Sequence, residues 1–193
     1  MTQGMSDCIV SYFDLPGVQD LEREEAARLM DLFHHSARTA MQRLIDGPVP
    51  AHQHMYCWND SCLCWPPLDT HDEKKVMAEV NSIRSSIRQD LQGHVPYVIS
   101  VKGRSFPGPL ADKFVGNPGN GHQSCFVFLK ASSYAMKNCL DIEHTLGKHR
   151  KQFYVDSRIV DSIGWNDRGT KRSVVMLPDK SARDVHMYDS LPL

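Results

Sequence analysis

Ser11-Tyr12-Phe13-Asp14-Leu15-Pro16-Gly17-Val18 and, further along, Met55-Tyr56-Cys57-Trp58-Asn59-Asp60-Ser61 share one plan: a short apolar run that ends in an aspartate. Cys8 to Phe13 reads as a buried strand, and Pro16-Gly17 breaks it. A carboxylate at the exit of a buried strand is held rigidly, with its charge at the sheet edge. Two carboxylates brought together that way grip hard divalent cations, and ions that bridge phosphates take one or two protein carboxylates plus phosphate oxygens. Asp14 and Asp60 therefore point to a two-metal site for a nucleotide.

The stretch between them is helical. Leu29, Leu32, Phe33, Ala37, Ala40, Met41 and Leu44 recur at steps of three and four, so Asp20 to Asp46 reads as an amphipathic helix ended by Gly47-Pro48-Val49-Pro50. His52 to Trp58 and Ser61 to Trp65 read as a hairpin around Asn59-Asp60. A second helix, from about His71 to Leu91, carries the stripe Val76, Val80, Ile83, Ile87 and Leu91. Tyr97 to Val101 is a strand, and Gly103 to His122, rich in Gly, Pro and Asn, reads as a long loop. Cys125 to Leu129 is a strand. Ser132 to Leu146 is a third helix, with Ala135, Met136, Cys139, Leu140 and Ile142 facing the core. Phe153 to Val155, a short helix from Ser157 to Ile163, and a strand from Ser173 to Leu177 follow, and the tail from Asp179 is polar. The order implies an α+β sandwich of the ferredoxin-like kind, an antiparallel or mixed sheet with helices on one face.

The 193 residues suit one domain with a sizeable core, and 41% hydrophobic with 23% charged residues fit a globular protein. A net charge of −1 and a pI near 6.8 give no support to general nucleic-acid or membrane-surface binding. No stretch approaches the roughly 18–20 apolar residues of a membrane span, and the first residues lack the pattern of a signal peptide. A cytoplasmic location is the default, and with it the six cysteines read as free thiols.

The element order, the Asp that ends the first strand and the Asp at the next hairpin turn together resemble the class III nucleotide cyclase catalytic domain, over roughly residues 7 to 165. The family begins with Phe-x-Asp-Ile/Leu-x-Gly-Phe. Asp14-Leu15-Pro16-Gly17-Val18 fits its Asp-Ile/Leu-x-Gly core, with Val18 in place of the second Phe. Its second metal Asp follows a Gly at a hairpin turn; here the pair is Asn59-Asp60. Its third helix opens Asn-x-x-x-Arg, positions held here by Ser133 and Lys137. The base-reading Lys and Asp of adenylate-specific members are not evident, and His54 and Phe126 fall near their places. Residues 166–193 lie beyond the resemblance.

The resemblance implies a homodimer that turns a nucleoside triphosphate into a 3′,5′-cyclic nucleotide and pyrophosphate, in bacterial signalling or antiphage defence. Asp14 and Asp60 would hold two Mg²⁺ or Mn²⁺ ions, with the backbone at Gly17 and Val18 facing the triphosphate. Lys137 would supply the transition-state cation from a second subunit, without the bidentate fork of Arg, and Ser133 would orient the ribose. Lys102 and Arg104 are spare cations. The rival is a catalytically degenerate module that dimerises or binds nucleotide without turnover, which the Ser133 and Lys137 replacements favour. A metal-dependent phosphodiesterase or nuclease is a third reading, with no further Asp, Glu or His motif behind it.

Each residue also has a plain reading. Asp14 is a turn or capping residue, Asp60 a turn residue, and Lys137 a solvated helix lysine. His52, His54, Cys57, Cys62 and Cys64 suggest zinc, but the spacing is no known ligand pattern, and alternation on a hairpin keeps all five from converging. His34-His35 reads as a solvated or boundary pair. Gly116 to Gly121 fits neither a P-loop nor a dinucleotide fingerprint.

Overall fold

The computed structural model describes residues 6–44, 55–65, 72–92, 94–105, 111–116, 124–129, 134–146, 152–165 and 171–192. Seven strands form one mixed sheet in the order β2-β3-β1-β4-β7-β9-β8, and β5 pairs with β6 in a separate two-stranded ribbon. The strands are β1 (Ser6–Asp14), β2 (Met55–Trp58), β3 (Ser61–Cys64), β4 (Tyr97–Ser105), β5 (Ala111–Gly116), β6 (Ser124–Leu129), β7 (Phe153–Asp156), β8 (Lys171–Met176) and β9 (Ala182–Tyr188). The helices are α1 (Arg23–Leu44), α2 (Glu73–Asp90), α3 (Tyr134–Leu146) and α4 (Ser157–Ile163). Only β4 and β7 pair in parallel; the other neighbours in the large sheet are antiparallel.

The α+β reading holds, but the helices do not share one face. β1 is buried on both sides, so its sequence is a continuous apolar run rather than an alternation. Ile9 and Phe13 belong to a core with Phe33 and Met41 of α1, Val76, Val80 and Ile87 of α2, and Ile159 and Val160 of α4. Cys8, Val10 and Tyr12 belong to a second core with Ala135, Met136, Cys139 and Ile142 of α3. Full burial of a side chain such as Phe13 stabilises by about 1.5–3 kcal/mol. Within the first core, Ser11 and Ser100 are cross-strand partners whose hydroxyls bond at 2.8 Å, so that polar pair is satisfied.

α3 sits close to the sheet because Gly103 lets it. A Cβ on Gly103 would lie 2.7 Å from Cβ of Ala135, inside contact distance. The stripe read for α2 is buried in full. Leu32 and Leu140, read as core, are 38% and 39% exposed; each sits at the edge of its helix's apolar stripe. Local signals end the helices: the Asp72 side chain accepts the Lys75 amide at 2.6 Å to cap α2, and Gly164 closes α4 at φ 72°.

Two further readings need correction. Part of the long Gly/Pro loop is a strand, since Ala111–Gly116 pairs with Ser124–Leu129. The polar tail contains β9, which lies between β7 and β8 and sends Val185 and Tyr188 into the two cores. Three of its seven residues are buried and the others are half-buried or exposed, which is why its composition hides it.

Candidate active site

β1 delivers Asp14 to its last position, where the carboxylate is 6% exposed. Burying a charged group is costly unless it is hydrogen-bonded. Here the neighbouring strands supply hydroxyls. Ser61 on β3 and Tyr97 on β4 are the direct cross-strand partners of Asp14, and Tyr12 precedes it on the same face. Ser61 Oγ donates to Asp14 Oδ1 at 2.8 Å and Tyr12 Oη donates to the same oxygen at 3.1 Å. The two hydroxyls are themselves 2.9 Å apart. Burial, foremost, pushes the Tyr12 and Tyr97 phenols well above their ordinary range, with the Asp14 charge adding to it, so both stay protonated donors.

The β2–β3 turn brings Asp60 to the same place. Asn59 takes a left-handed φ of 45°, which Asn adopts more readily than most residues. The Leu15 amide then donates to the Asp60 carbonyl at 2.9 Å, locking the exit of β1 to the turn. Asp14 and Asp60 both line a cleft of about 500 Å³, with Tyr12, Gly17, Ser61 and Glu143 among its walls. Glu143 comes from α3, and its Oε1 accepts the Tyr97 hydroxyl at 3.2 Å.

Solved structures of nucleotide cyclases share this arrangement of strands and helices. The guanylyl cyclase Cya2 superposes with a TM-score of 0.60 at 12% identity, over 97% of this chain and 93% of that one. A bacterial light-regulated adenylyl cyclase gives 0.55 at 6% identity, over 98% and 93%. The guanylate cyclase domain of RhGC from Catenaria anguillulae, in complex with GTP, gives 0.52 at 8%, over 94% of each chain. The fold is that of a class III nucleotide cyclase catalytic domain. No family model matches the sequence, and no curated protein does.

Within this cyclase-like fold the remaining expected residues scatter. Gly17 lines the cleft at φ 87°, a left-handed backbone that suits glycine, and nothing lies near where its Cβ would be. Gly17 and Val18 open a short 3₁₀ turn rather than α1, and the Val18 side chain is buried in the core. Lys137 stands half-exposed on α3, in an ion pair with Asp141 one turn on, and that hydrogen bond holds its pKa above the ordinary lysine value. It is not among the residues lining the cleft. Lys102 is paired with Glu73, and Arg104 with Asp7 at 3.5 Å. Phe126 lies on β6 opposite Phe114. His54 and Ser133 fall outside the described residues.

Among the described residues no three His, Cys, Asp or Glu side chains are grouped to hold a metal, and no helix is long and apolar enough to cross a membrane. Cys57, Cys62 and Cys64 share the α1 side of the hairpin as free thiols, and burial pushes Cys62 and Cys64 up, away from the thiolate that zinc needs.

The sequence reading missed Tyr12, Ser61, Tyr97 and Glu143. Period-two alternation from Asp14 pointed to Tyr12, and the hairpin register to Ser61. Nothing local marked Glu143, which only the docking of α3 brings to the cleft.

Proposed function

We propose that this chain is a divergent nucleotide cyclase. The 3′-oxygen of a bound nucleoside triphosphate attacks its own α-phosphorus, the bond from that phosphorus to the bridging oxygen breaks, and pyrophosphate leaves. The observation that carries this reading is the meeting of Asp14 and Asp60 on one cleft, at the end of β1, in a cyclase-like fold. Carboxylate oxygens are the donors that Mg²⁺ and Mn²⁺ take, and a phosphate-bridging ion needs only one or two from the protein. Ions held there supply charge that favours the ribose 3′-alkoxide and the departing pyrophosphate.

The chain's own groups do the rest. Asp14 and Asp60 anchor the ions, and Tyr12 and Ser61 fix the Asp14 carboxylate. The turn at Gly17 and Val18 gives the triphosphate close access to backbone. Lys137 of a second copy of the chain stabilises charge on the phosphates, leaving Asp141 to do so, and Ser133 orients the ribose. The resemblance assigns base contacts to the positions of His54 and Phe126, and their departure from the adenine-reading pair admits a pyrimidine.

The test is a turnover assay with ATP, GTP, CTP and UTP separately, with Mn²⁺, products resolved by mass. A cyclic monophosphate from one of them, lost in Asp14→Asn and Asp60→Asn, is the expected result. No product from any of the four defeats the enzyme reading.

A second reading has its own support. Lys137 is already paired with Asp141, and Asp14 already accepts two hydroxyl hydrogen bonds, as suits a module that binds nucleotide without turning it over. That reading predicts a metal-independent thermal shift with a nucleotide. A ligand at 100 times its dissociation constant adds about 2.7 kcal/mol.

A further inference from the structure

Cys57 and Cys62 face each other across the hairpin that carries Asp60. They are direct cross-strand partners on β2 and β3, one step in from Trp58 and Ser61, which flank the turn. In a hairpin closed by a two-residue turn, the flanking pair exchanges the backbone hydrogen bonds. The next pair is then of the non-hydrogen-bonded kind, with Cα atoms about 4.5 Å apart. Disulfides span Cα separations of about 4.4–6.8 Å. Cys64 shares this face of the hairpin, but its direct partner is Met55. It is a diagonal neighbour of Cys57, and diagonal pairs lie about 7–8 Å apart, beyond that range.

The two thiols differ in access. Cys62 is 1% exposed, in the core with Phe33 and Met41 of α1. Burial, foremost, pushes its pKa well above the ordinary thiol value, so it stays protonated. Cys57 is half-buried and lines a cleft of about 310 Å³ between α1 and β2, with His34, His35, Arg38 and Met55 as its other walls. Part-exposed cysteines in electropositive surroundings are the ones that oxidants select. Arg38 supplies that charge here. The other described cysteines are buried free thiols, and Cys139 donates to the Val10 carbonyl at 3.4 Å.

We propose that Cys57 and Cys62 are a peroxide-responsive dithiol: a hydroperoxide entering the α1–β2 cleft oxidises Cys57, and Cys62 then closes a disulfide across the hairpin. In the first step the Cys57 sulfur attacks one peroxide oxygen and the O–O bond breaks. The other oxygen leaves with the thiol proton, as water or an alcohol. The sulfur is oxidised to sulfenic acid and the peroxide is reduced. In the second step the Cys62 sulfur attacks the Cys57 sulfur, the S–O bond breaks, and the hydroxyl leaves with the Cys62 proton as water. Two equivalents of a small thiol reverse the change by exchange. The bridge closes a ring of six residues, Cys57 to Cys62, around the turn that holds Asp60. The dithiol needs no metal at Asp60 and no turnover in the neighbouring cleft.

The experiment treats the folded full chain with hydrogen peroxide, in an excess that oxidises free glutathione completely. The chain is then denatured, its remaining thiols are alkylated, and they are mapped by tandem mass spectrometry. The expected map has Cys64 alkylated, Cys57 and Cys62 not, and the mass of their segment reduced by two hydrogens. Dithiothreitol before alkylation should return both thiols. Cys62→Ala should leave Cys57 as a sulfenic acid that dimedone captures, and Cys57→Ser should leave Cys62 reduced at the same peroxide dose. The proposal is overturned by a Cys57 that is still alkylated after peroxide, or by one carried on to sulfinic acid with Cys62 alkylated. A bridge from Cys57 to Cys64 or to a second chain overturns it too, as does a Cys62 oxidised as fast in Cys57→Ser as in the wild type. If Cys62→Ala melts early, the wild-type map decides alone.

Discussion

Asp14 is a charge kept in the dry by its neighbours' hydroxyls. Ser61 donates at 2.8 Å, closer than Tyr12 at 3.1 Å, from a residue 3% exposed. Hydrogen bonds to charged groups are worth about 1.5–3 kcal/mol, so Ser61→Ala should destabilise the chain by that order, read as a lower urea midpoint with unchanged slope. An unchanged midpoint would mean that Tyr12 and Tyr97 satisfy the carboxylate alone. At this scale the sequence was half legible. Asp14 and Asp60 announce themselves because strand ends and turns are local patterns. Glu143 does not, because an acidic residue on a helix is ordinary until tertiary packing decides what it faces. Val18 shows the reverse failure: motif position suggested a backbone role at a helix start, while its apolar side chain went where apolar side chains go, into the core.

Elements followed their periodicity where one face is dry and one wet. α2 is the clear case, with five stripe residues buried as read. β5 and β9 were hidden because adjacent charged residues break up a short apolar pattern: Asp112 and Lys113 in one, Arg183 and Asp184 in the other. The crossing of α3 over β4 depends on a missing side chain. Gly103→Ala puts a methyl 2.7 Å from Ala135 Cβ, and overpacking of this kind costs about 1–3 kcal/mol. Chemical denaturation should show that loss, and Gly103→Ala/Ala135→Gly should regain part of it. A variant as stable as the parent would mean that α3 shifts at no cost. At the start of α2, Asp72→Ala removes the cap on the Lys75 amide and should cost about 1 kcal/mol by the same measurement.

The molecule as a whole carries buried groups that resist ionisation, and this sets its pH limits. Burial pushes the Cys8 thiol from 9.0 up to about 12, with the Asp7 charge adding to it, and burial pushes the Tyr188 phenol from 10.0 up to about 12. In the unfolded chain both ionise near their ordinary values, so the stability tied to their neutral forms is complete below pH 9 and drains away between 9 and 12. Urea midpoints should be level from pH 7.5 to 8.5 and fall by 10.5; a level profile throughout would contradict the burial of both. His186 has the opposite sign: burial, then the nearby Arg172 charge, lowers its pKa, so its contribution is present above pH 6.5 and lost as pH falls through the depressed value. The order of elements before α4 was readable, β5 excepted, because its first part is built by near-neighbour pairing, hairpin and crossover. The end of the sheet was not, since β9 takes its place between two strands made before it. That insertion bears on how the protein is born. On the ribosome β8 emerges ahead of the strand that ties it to the sheet, and β7 meanwhile shows an open edge, a template for pairing with other chains. Until residues 182–188 have cleared the exit tunnel, the nascent chain is a sheet with its border unsewn, and a pause in translation there exposes it to aggregation that the finished molecule avoids.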